Sequence, residues 1–247
     1  YQTTSGWADF KRIAAHHNFS ISRQLLRTLN AEYSNTYLLR TPNGESAWSV
    51  ESCPEWVTVT PSSGVGDAEL TITVDELPRA EATEVTYDVW NGRNGWKSAT
   101  MSGRRGEVVF LLEAKDYRST MVVEQYDSDH YDGKVIVNQT ASVGNGVNIV
   151  FMGDCFDAKD IAEGKYLQAM KDAYNYFFDI EPYVTYKDYF NVYTVFGMSA
   201  DSGMGTVNTI REARFGSQYT LNEGVSPDFE TVFAGACVAP INDNVAT

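Results

Sequence analysis

The sequence predicts a multidomain protein, with an all-β sandwich over 1–126 (including an N-terminal extension) and an α/β domain over 127–247. Three observations predict this. Between Phe19 and Gln125 apolar and polar residues alternate in short runs bounded by Pro, Gly and Ser, the mark of half-buried antiparallel strands. Between Val147 and Val195 a strand-like run, a helical pattern and a second strand-like run follow one another, the order of a crossover unit. Between Asp127 and Asn145 lies a stretch rich in Asp, Gly, Asn and Ser, which separates the two styles.

The strands are read in order. Trp48-Ser49-Val50 alternates, as does Trp56-Val57-Thr58-Val59-Thr60, which stops at Pro61-Ser62-Ser63-Gly64. Leu70-Thr71-Ile72-Thr73-Val74 alternates again, and so do Val108-Val109-Phe110 and Met121-Val122-Val123. Several such strands within about 100 residues indicate a sandwich. Asn91-Gly92 and Asn94-Gly95 separate Val85–Trp90 from Trp96, and Asn-Gly supplies the positive φ of a tight turn, so a hairpin is expected there. In the second half Lys134 to Asn138 reads as one strand within the boundary stretch, and Val147–Phe151 as a mainly apolar, buried strand. Asp157 is a helix N-cap, Ile161, Tyr166, Met170, Tyr174 and Phe177 recur near helical spacing, and Pro182 closes the helix before the strand Phe190–Val195. Asp9 to Ala15 is expected to form a helical turn or two.

Charge narrows the function classes. Lys and Arg number 19 against 33 Asp and Glu, a formal net charge of -14. Phosphate binding needs a basic face, so a nucleic-acid partner is not expected. No run of about 18 apolar residues predicts a transmembrane helix. The chain opens on Tyr1, which reads as a processed or trimmed product. Cys53, Cys155 and Cys237 are an odd number without a Cys-x-x-Cys pair, so neither a disulfide framework nor a thiolate zinc site is expected. The histidines are His16, His17 and His130, and none follows.

Candidate sites are few. Gly197-Met198-Ser199-Ala200-Asp201 lacks the closing glycine of a nucleophile elbow, and its half of the chain offers no histidine base. Cys155 stands where a strand hands over to a helix, a place that favours thiolate, yet it too lacks a base. Asp127, Asp129 and Asp132 before Gly133 resemble a calcium-binding turn with non-standard spacing, alternatively a solvated acidic turn. Trp90 and Trp96 flank the Asn-Gly turns and are the candidate ligand-binding residues, for a sugar ring or a protein partner, against the alternative of a hairpin packing its tryptophans inward. No residue of the chain is assigned a catalytic or metal-binding role. Trp48 and Trp56 are expected in strands and in the core.

Two resemblances extend this reading. The run from Trp48 to Gly64, with Arg105–Phe110 and Val122–Gln125 as closing strands, resembles the BACON domain over roughly residues 19 to 126. That resemblance implies an immunoglobulin-like sandwich of the kind found in secreted proteins of Bacteroidetes, beside enzyme modules, with carbohydrate or mucin as proposed ligands. Val147–Asp154, Asp160–Tyr166, Phe177–Tyr183 and Asp188–Tyr193 resemble the IgA peptidase family of zinc metallopeptidases, over about 130 to 247. Cys155 departs from that family, which usually has glycine there. The family's His-Glu-x-x-His-type motif, which lies downstream of Asn242-Asp243-Asn244 in its members, is absent from this chain. Two imidazoles one helical turn apart would hold Zn²⁺, with the Glu activating metal-bound water.

The resemblance therefore implies the N-terminal portion of a secreted bacterial zinc metallopeptidase. Its α/β part would be an incomplete zincin-like domain, with zinc expected only in a longer protein and the 247-residue chain inactive alone. A protein or glycoprotein substrate is implied, with the protein secreted or held at the bacterial cell surface, by a lipid anchor in one form of that expectation. The alternative is a non-catalytic surface protein that binds glycan, mucin or host protein through the sandwich.

Overall fold

The computed structural model describes residues 19–42, 46–90, 96–205 and 211–217. The expected helical turn at Asp9 to Ala15 and the two Asn-Gly turns lie outside these residues. The chain divides into two compact units, Tyr1–Asp127 and Ser128–Thr247.

The first unit is a β-rich sandwich. Its strands are β1 (Ser20–Ile21), β2 (Leu25–Thr28), β3 (Tyr33–Arg40), β4 (Ala47–Ser52), β5 (Val57–Thr60), β6 (Ser63–Val65), β7 (Ala68–Val74), β8 (Thr83–Trp90), β9 (Trp96–Leu112) and β10 (Tyr117–Tyr126). One sheet runs β1-β3-β7-β5 and the other β2-β10-β9-β4-β6, with β8 paired to β9. Period-two alternation explains the core between them, because alternate side chains along a strand share a face. Val57 and Val59 of β5 and Leu70, Ile72 and Val74 of β7 point inward from one sheet. Trp48 of β4, Val108, Phe110 and Leu112 of β9, and Met121 and Val123 of β10 meet them from the other. Trp48 is 1% exposed, and its indole N–H donates to the Gly66 carbonyl at 3.0 Å, so its one polar atom is satisfied in the core. Trp56 differs from expectation. It occupies the turn before β5, half-buried against the core, with the Arg104 guanidinium 4.4 Å from its ring centroid. The cause is Pro54, whose fixed φ favours a turn over continued pairing.

Two buried polar side chains of β10 are paired inside the sandwich. Gln125 of β10 is fully buried, donates to the Leu29 and Asp75 carbonyls and accepts from Arg104 Nε at 2.7 Å. Glu124 beside it accepts from Arg27 Nε at 2.9 Å and from the Tyr126 hydroxyl at 2.7 Å. Such pairing offsets the desolvation cost of groups that would otherwise oppose folding.

The second unit contains β11 (Val135–Gln139), β12 (Val147–Met152), helices α1 (Ala158–Ala162) and α2 (Lys165–Phe177), and β13 (Phe190–Val195). The sheet order is β11-β13-β12, with β12 and β13 parallel and β11 antiparallel to β13. Parallel neighbours need a crossover, and the two helices supply it. The helical pattern expected from Asp157 to Pro182 is split. Asp157 does cap α1, in a reciprocal capping box with Asp160, but Gly164 at φ 80° turns the chain before α2, and α2 ends at Phe177. Glycine alone takes that left-handed angle without a side-chain clash, which is why the break falls there.

The expectation that Val147–Phe151 is buried also needs correction. Ile149 and Phe151 are half-buried on the helix side, where Phe151 packs edge-on against Tyr174 and Phe177. Val147 is 59% and Val150 53% exposed. An apolar run signals burial on both faces only when both are covered, and periodicity cannot report that.

Candidate functional site

In a sheet with parallel strands, the carboxyl ends of those strands are where loops converge and sites are built. The ends of β12 and β13 carry three segments here: Gly153–Asp157, Phe196–Gly205 and Arg211–Ser217. One buried tyrosine gathers the first two. The Tyr166 hydroxyl of α2 donates to the Val195 carbonyl at 2.6 Å and accepts from the backbone N–H groups of Gly153 at 2.8 Å and Gly197 at 3.2 Å. Its ring stacks on Phe196 with centroids 4.7 Å apart. Burial, the leading cause, raises its pKa, so the neutral hydroxyl acts as a clamp and not as a base.

The third segment is tied by Asp154. Its Oδ1 accepts from Cys155 N at 2.9 Å, Ser199 Oγ at 3.0 Å and Phe215 N at 3.2 Å, while Oδ2 accepts from Ser217 N at 3.0 Å. Ser199, 2% exposed, accepts in turn from Cys155 N and Arg214 N, each at 3.0 Å. Burial opposes ionisation of Asp154, but donors from Ser217, Cys155 and Phe215 outweigh it and hold the carboxyl below its ordinary range. A carboxylate whose anion is held by such donors is a weak proton acceptor. Its chemistry is positional: it fixes residues 199 and 211–217 over the strand ends.

The predicted candidates fall as follows. Ser199 is held between Asp154 and two backbone donors, and among the described residues no imidazole meets it, so it forms no nucleophile–base pair there. Cys155 is buried, with Sγ 3.9 Å from the Ser217 carbonyl. Its φ of 67° lies in the left-handed region that favours glycine. Asp127 accepts from Asn30 at 2.7 Å and lies 3.4 Å from Arg79. Asp132 accepts from Met198 N at 2.9 Å and pairs with Arg214 at 3.0 Å. The calcium-like spacing is thus spent on separate partners, and among the described residues no group of three or more His, Cys, Asp or Glu could hold a metal ion. His130 leans on Phe196, with ring centroids 4.6 Å apart. Trp90 and Trp96 are cross-strand register partners at the end of the β8–β9 hairpin; their side chains lie outside the described residues.

Sequence reasoning gave Asp154, Tyr166 and Ser199 no positioning role. Ser199 is 45 residues from Asp154 and Gly197 is 31 from Tyr166, so no local spacing could pair them. An acidic residue directly after a strand-like run was the available signal.

Residues 135–227 match the family model of the IgA Peptidase M64 family. The matched stretch runs from β11 through the Asp154 network, entirely within the second unit. The similarity to a peptidase family is carried by this segment. No curated protein matches the chain. Solved structures similar to it include a Bacteroides ovatus GH5 xyloglucanase in complex with a XXXG heptasaccharide, at 14% identity and TM-score 0.30, over 51% of this chain and 24% of that one. They also include WR4, a C. elegans MSP family member, at 12% identity and TM-score 0.27, over 44% of this chain and 95% of that one. A third is the Vibrio cholerae VesB protease, at 13% identity and TM-score 0.25, over 47% of this chain and 35% of that one. No described helix is long and apolar enough to cross a membrane.

Proposed function

We propose that this chain belongs to a secreted bacterial zinc metallopeptidase, in which the second unit forms part of a zincin-like catalytic domain acting on protein or glycoprotein substrates. The observation that carries this reading is the M64 match across residues 135–227. The site geometry is consistent with it, because the Tyr166 and Asp154 networks build a rigid platform at the ends of parallel strands without filling a catalytic role themselves. Zinc does not fit the described residues, which offer no cluster of ligands for it. The hydrolytic groups of the proposed enzyme therefore lie outside the residues described. The BACON-like sandwich, in this reading, braces or targets the enzyme.

The test compares the natural gene product with the 247-residue polypeptide against protein substrates, with added zinc and with a chelator. The proposal expects chelator-sensitive cleavage by the natural product and no turnover by the 247-residue polypeptide. Zinc-dependent cleavage by the polypeptide alone, or chelator-insensitive cleavage by the natural product, would overturn it.

A further inference from the structure

The turn between β11 and β12 is held down by one asparagine of β13. Asn191 Oδ1 accepts from Ala141 N at 2.8 Å, and its Nδ2 donates to the Asn145 carbonyl at 3.1 Å and to Asn148 Oδ1 at 3.0 Å. The backbone N–H groups of Ser142 and Val143 donate to the Asp188 carbonyl at 3.0 and 3.2 Å. The turn closes on Gly146, whose φ of 73° lies in the left-handed region. Space forbids a side chain there as well, since a Cβ on Gly146 would lie 2.5 Å from Ala141 Cβ and 2.6 Å from Asn191 Nδ2. Both constraints require glycine at 146, and the residue before it is Asn145. That side chain is exposed, and among the described residues neither it nor the Gly146 N–H has a hydrogen-bond partner. Asn-Gly also occurs at Asn43, Asn91 and Asn94, which lie outside the described residues.

We propose that Asn145 is a site of spontaneous covalent modification, with water as co-reactant, that loosens this turn. The Gly146 amide nitrogen, after giving its proton to a solvent base, attacks Asn145 Cγ. A new C–N bond forms, the bond from Cγ to the side-chain NH₂ breaks, and ammonia leaves, closing a succinimide ring. Water then opens the ring at one of its carbonyls, so the net change is ammonia out and water in, with nothing oxidised or reduced. Opening at Cγ leaves an ordinary aspartyl residue. Opening at the α-carbonyl leaves an isoaspartyl link, in which the main chain runs through Cβ and Cγ and is one carbon longer. A side chain on the following residue would crowd the attacking nitrogen, and Gly146 has none. Neither reacting group has to give up a hydrogen bond first. The other asparagines nearby are placed differently. Asn138 donates to Thr194 Oγ1 at 2.7 Å and precedes Gln139, while Asn148 is engaged by Asn191 and precedes the β-branched Ile149. The aspartyl product keeps the carbonyl that Asn191 holds. The isoaspartyl product turns that carbonyl into a free carboxylate and lengthens a turn pinned at both ends, so a contact with Asn191 or Asp188 must give. The result is a one-way loosening at the amino end of β12, the end opposite the Asp154 platform. This inference does not depend on peptidase activity.

The full 247-residue chain tests it, kept folded for days at about pH 8.5, where more of the amide nitrogen is deprotonated. Trypsin releases residues 135–159 as one peptide, which carries Asn138, Asn145 and Asn148 together and so compares them in one spectrum. The modification adds roughly 1 Da, and fragmentation assigns it to a residue. Position 145 is expected to change at least about tenfold faster than 138 or 148, because its nucleophile is the uncrowded one. Equal rates at the three would overturn the proposal. The isoaspartyl fraction is then separated by chromatography and its hydrogen exchange over 141–148 compared with that of the unmodified chain. Exchange several-fold faster is expected there. Freshly prepared Asn145→Asp, which adds the charge without lengthening the chain, should exchange like wild type. Unchanged exchange in the isoaspartyl fraction, or equal acceleration in Asn145→Asp, would sink the idea that the longer backbone loosens the turn.

Discussion

Asp154 offers the sharpest test of the platform. Removing its carboxylate as Asp154→Ala takes an acceptor from the backbone N–H groups of Phe215 and Ser217, from the Ser199 hydroxyl and from Cys155 N–H, which keeps only Ser199 Oγ. Hydrogen bonds to a charged group contribute roughly 1.5–3 kcal/mol each, but the side chain is only half-buried and water replaces part of what is lost, so about 2–4 kcal/mol in total is expected. Asp154→Asn is milder and more informative. With its amide oxygen in the place of Oδ1, three donors keep their acceptor, while the new NH₂ faces the Ser217 N–H. A loss of about 1–2 kcal/mol confined to that segment corresponds to roughly 5- to 30-fold faster amide exchange. The assay is hydrogen exchange read by mass spectrometry over 211–217, with urea unfolding for the total. The pH dependence has a definite sign. The folded pKa lies below the unfolded value, near 3.9, so the carboxylate's contribution is complete above that value and disappears as pH falls through the folded pKa. The gap between wild type and Asp154→Asn should thus be constant near neutrality and narrow below about pH 4. Unchanged exchange at 211–217, or a gap that widens in acid, would refute the assigned role.

Other substitutions probe the remaining supports. Tyr166→Phe keeps the stacked ring but removes the hydroxyl that serves Val195, Gly153 and Gly197, and should cost about 1–3 kcal/mol in urea unfolding; a neutral result would remove it as the clamp. Trp48→Ala empties the largest fully buried site of the sandwich and should cost about 3–5 kcal/mol, seen as a lower thermal midpoint. Gly103→Ala would drive a Cβ into the Gln125 carbonyl oxygen on the neighbouring strand, so the β9–β10 ladder must shift; a loss of about 2 kcal/mol or more is expected, and a wild-type denaturation curve would show the approach to be looser than it looks.

Much of the fold was legible because its signals are local. Val57, Val59, Leu70, Ile72 and Val74 sit inward as period-two alternation requires. Asp157 caps a helix because its side chain needs only the amide three residues on. The site was less legible. Gly197-Met198-Ser199 and Cys155 attracted notice as chemical types, yet their partners make them parts of a brace. Asp127, Asp129 and Asp132 looked like a cation loop, whereas Asn30 and Arg79 engage Asp127, and Met198 and Arg214 engage Asp132. In each case the deciding partner lies far away in sequence, and no spacing rule reaches it.

What the sequence determined by itself was therefore the strand alternation, the helix start, the acidic charge and the segment similar to M64 peptidases. Those depend on neighbours along the chain, whose geometry the backbone fixes at 2.0 or 3.6 residues per repeat. The tertiary structure alone decided that Tyr166 and Asp154 bind three segments at the ends of β12 and β13. It also decided that Val135, Val137 and Val150 face outward. A hydrophobic run states that apolar surface must be buried somewhere, and only the arrangement of strands in space says against what.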